Sequence, residues 1–459
     1  MNSDPRACGL LFLALCAGLA SAADPAPVFS GGADLRLRQE MFDNAIWLDS
    51  TNDDHKRSFQ RYRARAWGQA APAENIKAHG RLMWEGRHYS TLDLPATTPH
   101  DDTYNGALMF DSLYLQADRL GGLPLSLKLG RQDIILGNGW LVLDGTPFDG
   151  SRTIYFDALR ATYSRGDTSL DLILVDNDAK STLVLNNKDE DQIEQDEQGL
   201  ILYARHKWNP DTSIDGFYMY KDNDASRGEA PPRWYNNGAA ARSFADDGHT
   251  HAVGGRVESR FAERWSLRAE AAYQWGRRET RNASGGTISD RDLRAWGFNG
   301  RLTRDFGGDW KQRAHLGYEF LSGDDPDTSD NEAFDPLWGR WPQWSELIIY
   351  TYAAESRIGE ITNLHRLNLG WTAQVHAKAN LSLDWHALFA DEKTCTVGAL
   401  DYGCDGSFRG HLFTSWIRAK FDKTISGHLV AEYFLPGDYY ASSNDDNAWF
   451  FRAEVNLTW

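Results

Sequence analysis

The sequence shows a period of two in hydrophobic and polar residues, which recurs from Gly32 to Trp459. In its first segment, residues 33–40, charged side chains occupy the even positions and mostly apolar ones the odd positions. Successive side chains of a β-strand point to opposite faces, so this spacing predicts a strand with one polar and one apolar face. The final segment repeats the pattern, with Arg452, Glu454 and Asn456 on its polar face.

About 18 segments carry this pattern, centred near residues 36, 64, 80, 113, 128, 158, 172, 203, 218, 256, 270, 298, 316, 368, 384, 414, 429 and 454. Two folds accommodate such segments, a soluble all-β protein and a closed membrane barrel with a water-filled lumen. Several segments reach the roughly 9 to 11 residues that cross a bilayer at a tilt. Aromatic residues gather near the ends of the apolar faces, which is typical of interfacial girdles. We therefore predict an all-β, transmembrane antiparallel β-barrel of about 18 strands.

The connections between these segments alternate between short turns and long loops. Short turns are predicted at residues 261–264 and 306–309, on the periplasmic side. Long extracellular loops are predicted at residues 44–56, 87–105, 176–198, 221–248, 277–290, 322–344, 390–406 and 437–447. Residues 347–353 are interpreted either as an additional strand or as part of a loop.

Composition agrees with a barrel once the alternation is considered. The chain has 459 residues, a formal net charge of −17, 18 Trp, 18 Tyr and 21 Phe, and a mean hydropathy of −0.55. Its polarity excludes a bundle of transmembrane helices, because each of those needs about 20 apolar residues in succession. Polar lumen positions cancel apolar lipid-facing ones in the average. The acidic balance makes nucleic acid an unexpected partner.

The first 22 residues are interpreted as an export signal that ends in Ala20-Ser21-Ala22, and residues 23–459 as a single barrel. Cys16 raises a lipoprotein alternative, against which Leu15 stands where lipidation signals use a small residue. The mature chain would keep Cys395 and Cys404, for which a disulfide is predicted in an exported protein. Free surface thiols and a metal site are the alternatives.

Basic residues concentrate on the polar faces of the first three predicted strands. The candidate pore-lining and anion-binding residues are Arg36, Arg38, Glu40, Arg61, Arg63, Arg65, Lys77, Arg81, Glu85, Arg256, Arg268, Arg313 and Arg452. Low-dielectric walls focus the field of such a cluster and raise the local concentration of anions. The alternative is that carboxylates neutralise these arginines in ion-pair ladders that only stiffen the wall.

The central part of the chain carries a motif in residues 127–133 and 137–142, then in Arg152 and residues 156–160. This motif resembles the signature of the alginate export family of outer-membrane porins, and the strands around Arg36 and Arg61 also fit that family. It implies an 18-stranded outer-membrane barrel with an electropositive pore that passes an anionic polysaccharide, which is alginate in the namesake. The family-motif residues are Gly130, Arg131, Gln132, Gly137, Arg152, Phe156, Asp157 and Arg160, which we interpret as structural rather than transporting.

The functional prediction is a passive channel in the Gram-negative outer membrane, with no catalytic site, cofactor or metal. Its partners would be an acidic polysaccharide or sugar acid, lipopolysaccharide and outer-membrane lipid, with a periplasmic export apparatus as a further candidate. A porin for small anions, an outer-membrane hydrolase and an adhesin are alternatives. The sequence lacks the G-x-S-x-G, H-E-x-x-H, P-loop and CxxC motifs. The acidic loops are interpreted as solvated surface, with binding of divalent cations as the alternative.

Overall fold

The computed structural model describes residues 28–52, 55–92, 103–143, 155–186, 195–224, 246–281, 287–340, 342–352, 361–395 and 401–459. Within these ranges the chain forms eighteen β-strands, one short α-helix and one 3-10 turn. The elements are β1 Val28–Asp43, β2 Lys56–Ala73, β3 Ile76–Leu92, β4 Thr103–Ala117, the 3-10 turn Leu120–Gly122, β5 Leu125–Gln132, β6 Phe156–Arg165, β7 Thr168–Asn177, β8 Asp196–Asn209, β9 Thr212–Asp224, β10 Asp246–Ala262, β11 Trp265–Arg281, β12 Thr287–Gly307, β13 Gln312–Leu321, α1 Leu347–Thr351, β14 Leu364–His376, β15 Ala379–Phe389, β16 Phe408–Lys420, β17 Ile425–Pro436 and β18 Ala448–Thr458.

The sheet closes on itself. Each strand pairs antiparallel with its neighbours in sequence, and β18 returns to pair with β1. The closing register runs from Asp34 opposite Thr458 to Asp43 opposite Trp449. Closure leaves no sheet edge, which lets strands cross a bilayer core that offers no hydrogen-bond partners.

The two faces of the strands differ as the alternation predicts. On β1, Arg36 and Arg38 are buried on the lumen side, whereas Leu37 between them is 40% exposed on the outer side. On β7, Leu170, Leu172 and Leu174 are likewise exposed at alternate positions. The outer surface is therefore apolar and the charges lie inside. No helix in the described ranges is long and apolar enough to cross a membrane.

The predicted closed antiparallel barrel is confirmed, and each predicted centre lies within one strand. The strands beside the predicted loop at residues 87–105 are longer than expected: β3 pairs with β4 as far as His88 opposite Thr103, and with β2 as far as Leu92 opposite Arg57. The connection 133–155 is an additional long loop that the prediction did not include. Residues 347–351 form α1 rather than a strand, whereas residue 353 lies outside the described residues.

The described parts of the connections from β5 to β6 (residues 133–143) and from β13 to β14 (residues 322–340 and 342–352) fold into the lumen. They meet where Val142 and Trp338 form a parallel bridge. Trp338 is buried against Gly199, where a Cβ atom would lie only 2.5 Å from the indole ring. Lys221 on β9 donates to the Leu337 carbonyl at 3.1 Å. Buried apolar residues of the two loops form one core with the wall, including Leu136, Leu141, Val142, Phe334, Leu337, Leu347 and Ile348.

Polar contacts fix the rest of the β13–β14 loop to the wall. Glu432 on β17 accepts hydrogen bonds from Ser345 Oγ at 2.5 Å and from the Glu346 and Leu347 amides at 2.9 and 3.1 Å. These bonds satisfy amide groups at the start of α1. Arg409 on β16 lies 4.6 Å from the Tyr352 ring centroid, just after α1. The loop is therefore a packed constriction of the lumen.

Replacing the anchor residue Trp338 should widen the channel. Trp338→Ala removes a buried ring, at a typical cost of about 3–5 kcal/mol, and we expect larger and noisier single-channel currents in planar bilayers. Trp296→Ala is the matched control, because Trp296 is 59% exposed on the outer face and its loss should leave conductance unchanged. Equal conductance of Trp338→Ala and the unsubstituted protein would show that this loop does not limit the lumen.

Candidate functional site

A row of arginines, here called the seam ladder, follows the inner faces of β18, β1, β2 and β3. Glu40 is fully buried at its centre. It accepts hydrogen bonds from Arg38 at 3.2 Å, Arg61 at 3.2 Å and Arg452 at 2.7 Å. Glu454 accepts a hydrogen bond from Arg38 Nε at 2.6 Å. The predicted residues at the barrel closure are thus brought together as alternating acids and bases.

The remaining members extend the same pattern. Asp34 pairs with Arg63 at 3.4 Å and Arg65 at 2.8 Å, and Glu85 pairs with Arg61 at 3.6 Å and Arg87 at 3.0 Å. The ladder contains seven arginines and five carboxylates: Arg36, Arg38, Arg61, Arg63, Arg65, Arg87 and Arg452 with Asp34, Glu40, Glu85, Glu346 and Glu454. The arginine side chains are at most 16% exposed. Most of the positive charge of the ladder is thus paired with carboxylates, and its arginine side chains are largely shielded from solvent.

Most of the other predicted pore residues are also paired. Lys77 lies 3.1 Å from Asp118, Arg256 lies 3.1 Å from Asp215, and Arg313 lies 3.2 Å from Asp305. Arg81 bridges two carboxylates, at 2.8 Å from Asp111 and 3.0 Å from Asp133. These contacts link neighbouring strands. Arg268 differs from them, because no described carboxylate lies within ion-pair distance of its guanidinium group.

A cavity of about 350 Å³ lies between the lumenal loops and the wall formed by β11 to β16. The loops contribute rings and backbone to one side of it, from Trp140, Phe334 and Trp344. The strands contribute charged and polar groups, namely Arg268, Glu270, Asn299, Arg301, Glu319, Arg366, Asn368, Asp384, His386, Thr414 and Arg418. Charges of both signs therefore line this cavity.

Arg268 on β11 and Arg301 on β12 stand directly opposite each other in the sheet register. Both are half-buried, and both line the cavity together with the exposed Arg418. Among the described residues, no carboxylate lies within ion-pair distance of these three guanidinium groups. Like charges placed opposite each other are destabilising. An anion bound between them would relieve that repulsion.

Neutral groups hold Arg301 and Arg418 in place, whereas Arg366 also contacts a carboxylate. Arg301 Nη2 donates to His315 Nδ1 at 2.6 Å, and the Arg418 guanidinium lies 4.0 Å from the Trp416 ring centroid. Arg366 lies 4.6 Å from the Trp344 ring and also bonds Glu319 at 2.9 Å. A cation over an aromatic face is oriented without losing its charge. The forks of Arg301 and Arg418 thus keep their charge beside the cavity.

Sequence reasoning named Arg268 in this group and missed Arg301, Arg366 and Arg418. Each lies on the lumen face of a strand, so the alternation could have identified them. Whether an arginine has a carboxylate partner depends on the register between strands. Gly317 is an example, because it lies between Arg301 and Asn368 and has no side chain that could pair with Arg301. Periodicity within one strand does not reveal that register.

The family-motif residues make structural contacts. Arg131 bonds Asp157 through two nitrogens at 2.7 and 2.9 Å, and Gln132 donates to the Ala158 carbonyl at 2.9 Å. Arg160 bonds Asp171 at 2.8 and 3.0 Å. Gly130 has a φ of +118°, and a Cβ there would lie 2.4 Å from the Leu113 carbonyl oxygen.

Two further motif residues support the lumenal loop. Gly137 has a φ of +57°, and a Cβ there would lie 3.1 Å from Arg256 Cδ and 3.3 Å from the Tyr203 hydroxyl. Phe156 is fully buried beside Trp338. Arg152 lies outside the described residues. The motif thus joins β5 to β6 and seats the loop between them.

The outer loops contain the remaining predicted features. A disulfide joins Cys395 to Cys404, with the Cα atoms 4.4 Å apart. Burial, together with Asp391 and Asp325, raises the pKa of Glu392. In the part of the chain that the structure describes, no group of three or more His, Cys, Asp or Glu residues could hold a metal ion. Residues 1–22, the predicted export signal, lie outside the described residues.

This closed barrel with a constricted, charged lumen is an outer-membrane channel of the porin class. The profile of the alginate export family matches residues 28–452, so the chain belongs to that family. Among curated proteins, none matches the sequence.

Solved porin structures share the fold. Pseudomonas aeruginosa OpdK, crystallised with vanillate, has a TM-score of 0.54 at 11% identity, with 94% of this chain and 99% of that chain covered. Pseudomonas aeruginosa OccD3 (OpdP) has a TM-score of 0.53 at 10% identity, covering 95% and 93%. Acinetobacter baumannii OccAB2 has a TM-score of 0.52 at 12% identity, covering 94% and 98%.

Removing the central carboxylate of the seam ladder should destabilise the barrel. Glu40→Gln leaves Arg38, Arg61 and Arg452 with one acid fewer, and breaking a buried ion pair costs about 3–5 kcal/mol. Denaturant-induced unfolding in detergent would measure the loss. Glu74→Gln is the control, since Glu74 is 80% exposed and pairs with Arg119 on the surface; a change below about 0.5 kcal/mol is expected there. Equal stability of the two variants would contradict the role of the ladder.

Proposed function

We propose that this protein is a passive outer-membrane channel for carboxylate-bearing saccharides, which cross along the wall from β11 to β16. The observation that carries the proposal is the opposed pair Arg268 and Arg301, which lines the cavity with no carboxylate partner among the described residues. The planar fork of arginine matches a carboxylate in bidentate geometry. No chemical step, cofactor or metal is involved.

The charge arrangement supports transport rather than tight capture. Glu270, Glu319 and Asp384 lie on the same cavity wall as the arginines, so an anion would meet attraction and repulsion within one solute length. A channel needs binding that favours entry and still permits release. The seam ladder would supply a background positive field and a rigid wall, since its arginines outnumber its carboxylates.

The volume of the cavity supports passage of one sugar ring at a time. Its volume of about 350 Å³ lies at the small end of ligand sites, which span roughly 300–1,000 Å³. A linear acidic polysaccharide, such as the alginate of the family's name, would thread through it as an extended chain. The anchored loops favour a second candidate, uptake of single sugar acids or other small carboxylates.

We further propose that residues 1–22 are removed during export and that the long loops face the cell exterior beside lipopolysaccharide. A periplasmic export apparatus would be a partner in the polysaccharide case. In the small-acid case the solute gradient suffices. The family and the porin-like fold are those of channels, which supports the absence of catalysis.

Neutralising the cavity arginines should weaken anion recognition. In Arg268→Gln/Arg301→Gln, the concentration of galacturonate that half-blocks the current should rise at least about tenfold, because a hydrogen bond to a charged group contributes roughly 1.5–3 kcal/mol. Planar-bilayer conductance and reversal potentials are the measurements. Arg61→Gln/Arg63→Gln is the matched control with the same change in charge. A larger loss in that ladder variant would overturn the assignment.

Chain length separates the two solute candidates. Proteoliposomes that contain the channel would be tested with galacturonate and with defined oligouronates, and entry would be followed by swelling and by chemical assay of the interior. Entry of the oligomers, with current blocks that lengthen with the number of rings, is expected for polysaccharide passage. Entry of the monomer alone would identify a sugar-acid channel, and entry of neither would contradict both.

A further inference from the structure

His315 on β13 lies between two charged groups of the cavity wall. Its Nδ1 atom is 2.6 Å from Arg301 Nη2. Its Nε2 atom is 2.9 Å from Asp384 Oδ1 and 2.8 Å from Asn368 Oδ1. The residue is 6% exposed, so these groups account for most of its surroundings.

These contacts determine where the imidazole carries its proton. A guanidinium nitrogen can only donate, so His315 Nδ1 must be the unprotonated acceptor. The proton then resides on Nε2, which faces the oxygens of Asp384 and Asn368. His315 is thus neutral and has a defined tautomer in this arrangement. Its imidazole orients Arg301 without cancelling the charge of that arginine.

We propose that His315 is the positioning residue that directs Arg301 toward the transported carboxylate. The inference rests on the proposed function, because it assigns a role within the same arginine pair. A carboxylate at the position of His315 would orient Arg301 equally well but would compete with the solute for its charge. A neutral acceptor leaves that charge for the solute.

A glycine on the neighbouring strand makes room for this contact. Gly370 on β14 lies opposite His315 in the register. A Cβ atom at residue 370 would lie 2.1 Å from His315 Cε1 and 2.3 Å from Asp384 Oδ1. Even alanine would therefore displace the ring or the carboxylate. Gly370 offers a way to disturb His315 without changing any charged or hydrogen-bonding side chain.

The test compares His315→Asn with His315→Ala in planar bilayers. Asparagine can present an oxygen near the position of Nδ1 and does not titrate, whereas alanine removes the acceptor. With galacturonate, which stays ionised above pH 5, the half-blocking concentration should rise about three- to tenfold in His315→Ala and remain close to the original in His315→Asn.

Two further variants make the outcome decisive. Gly370→Ala should reproduce the weaker block of His315→Ala. The double variant Arg301→Gln/His315→Ala should show no weaker block than Arg301→Gln alone, because the histidine acts through that arginine. Additive losses, or an unchanged half-blocking concentration in His315→Ala, would overturn the positioning role. An Arg301→Gln variant with unchanged block would instead contradict the proposed function itself. Heat-modifiable migration of each variant on gels would confirm that the barrel is folded.

Discussion

The barrel depends on the seam at which β18 meets β1. In a lipid bilayer every backbone N–H and C=O group of a strand must bond to a neighbouring strand, and this seam supplies the last pair of neighbours. At this seam Arg38 stands opposite Glu454, and Glu40 stands opposite Arg452. The side chains of these opposed residues also form ion pairs on the lumen side, at 2.5 Å for Arg38 with Glu454 and 2.6 Å for Arg452 with Glu40. A slip by one residue would bring these charges to the lipid face. Arg38 and Arg452 therefore join β1 to β18 where the barrel closes.

The polar interior of the closed wall is divided between ion pairs that join strands and an open cavity. On the seam side α1 and its loop cover the ladder, and Glu346 bonds Arg452 at 2.9 Å. On the opposite side the same loops leave a cavity against β11 to β16. Buried apolar residues such as Trp338 and Phe334 fix that division. The apolar core inside the polar lumen thus places the cavity beside Arg268, Arg301 and Arg366.

Alternation within single strands predicted the barrel well, because lipid outside and water inside impose a period of two on every strand. The centres of β1 to β18 and the lumen-facing positions of Arg36, Arg63 and Arg452 followed from it. Hairpin extensions beyond the membrane, as in β3, were not predicted, since outside the bilayer the constraint of alternation ends. The motif around Arg131 and Asp157 was interpreted as structural, and its contacts join β5 to β6.

The sequence alone determined the class of fold, the faces of the strands and the lumen-facing positions of strand arginines such as Arg36 and Arg63, because these depend on local periodicity. The tertiary structure decided which arginines are neutralised. Arg61 and Arg268 occupy equivalent positions in the alternation, yet one contacts Glu40 and the other faces Arg301. That difference arises from the register between strands and from loops that return into the lumen, both of which involve residues far apart in the chain.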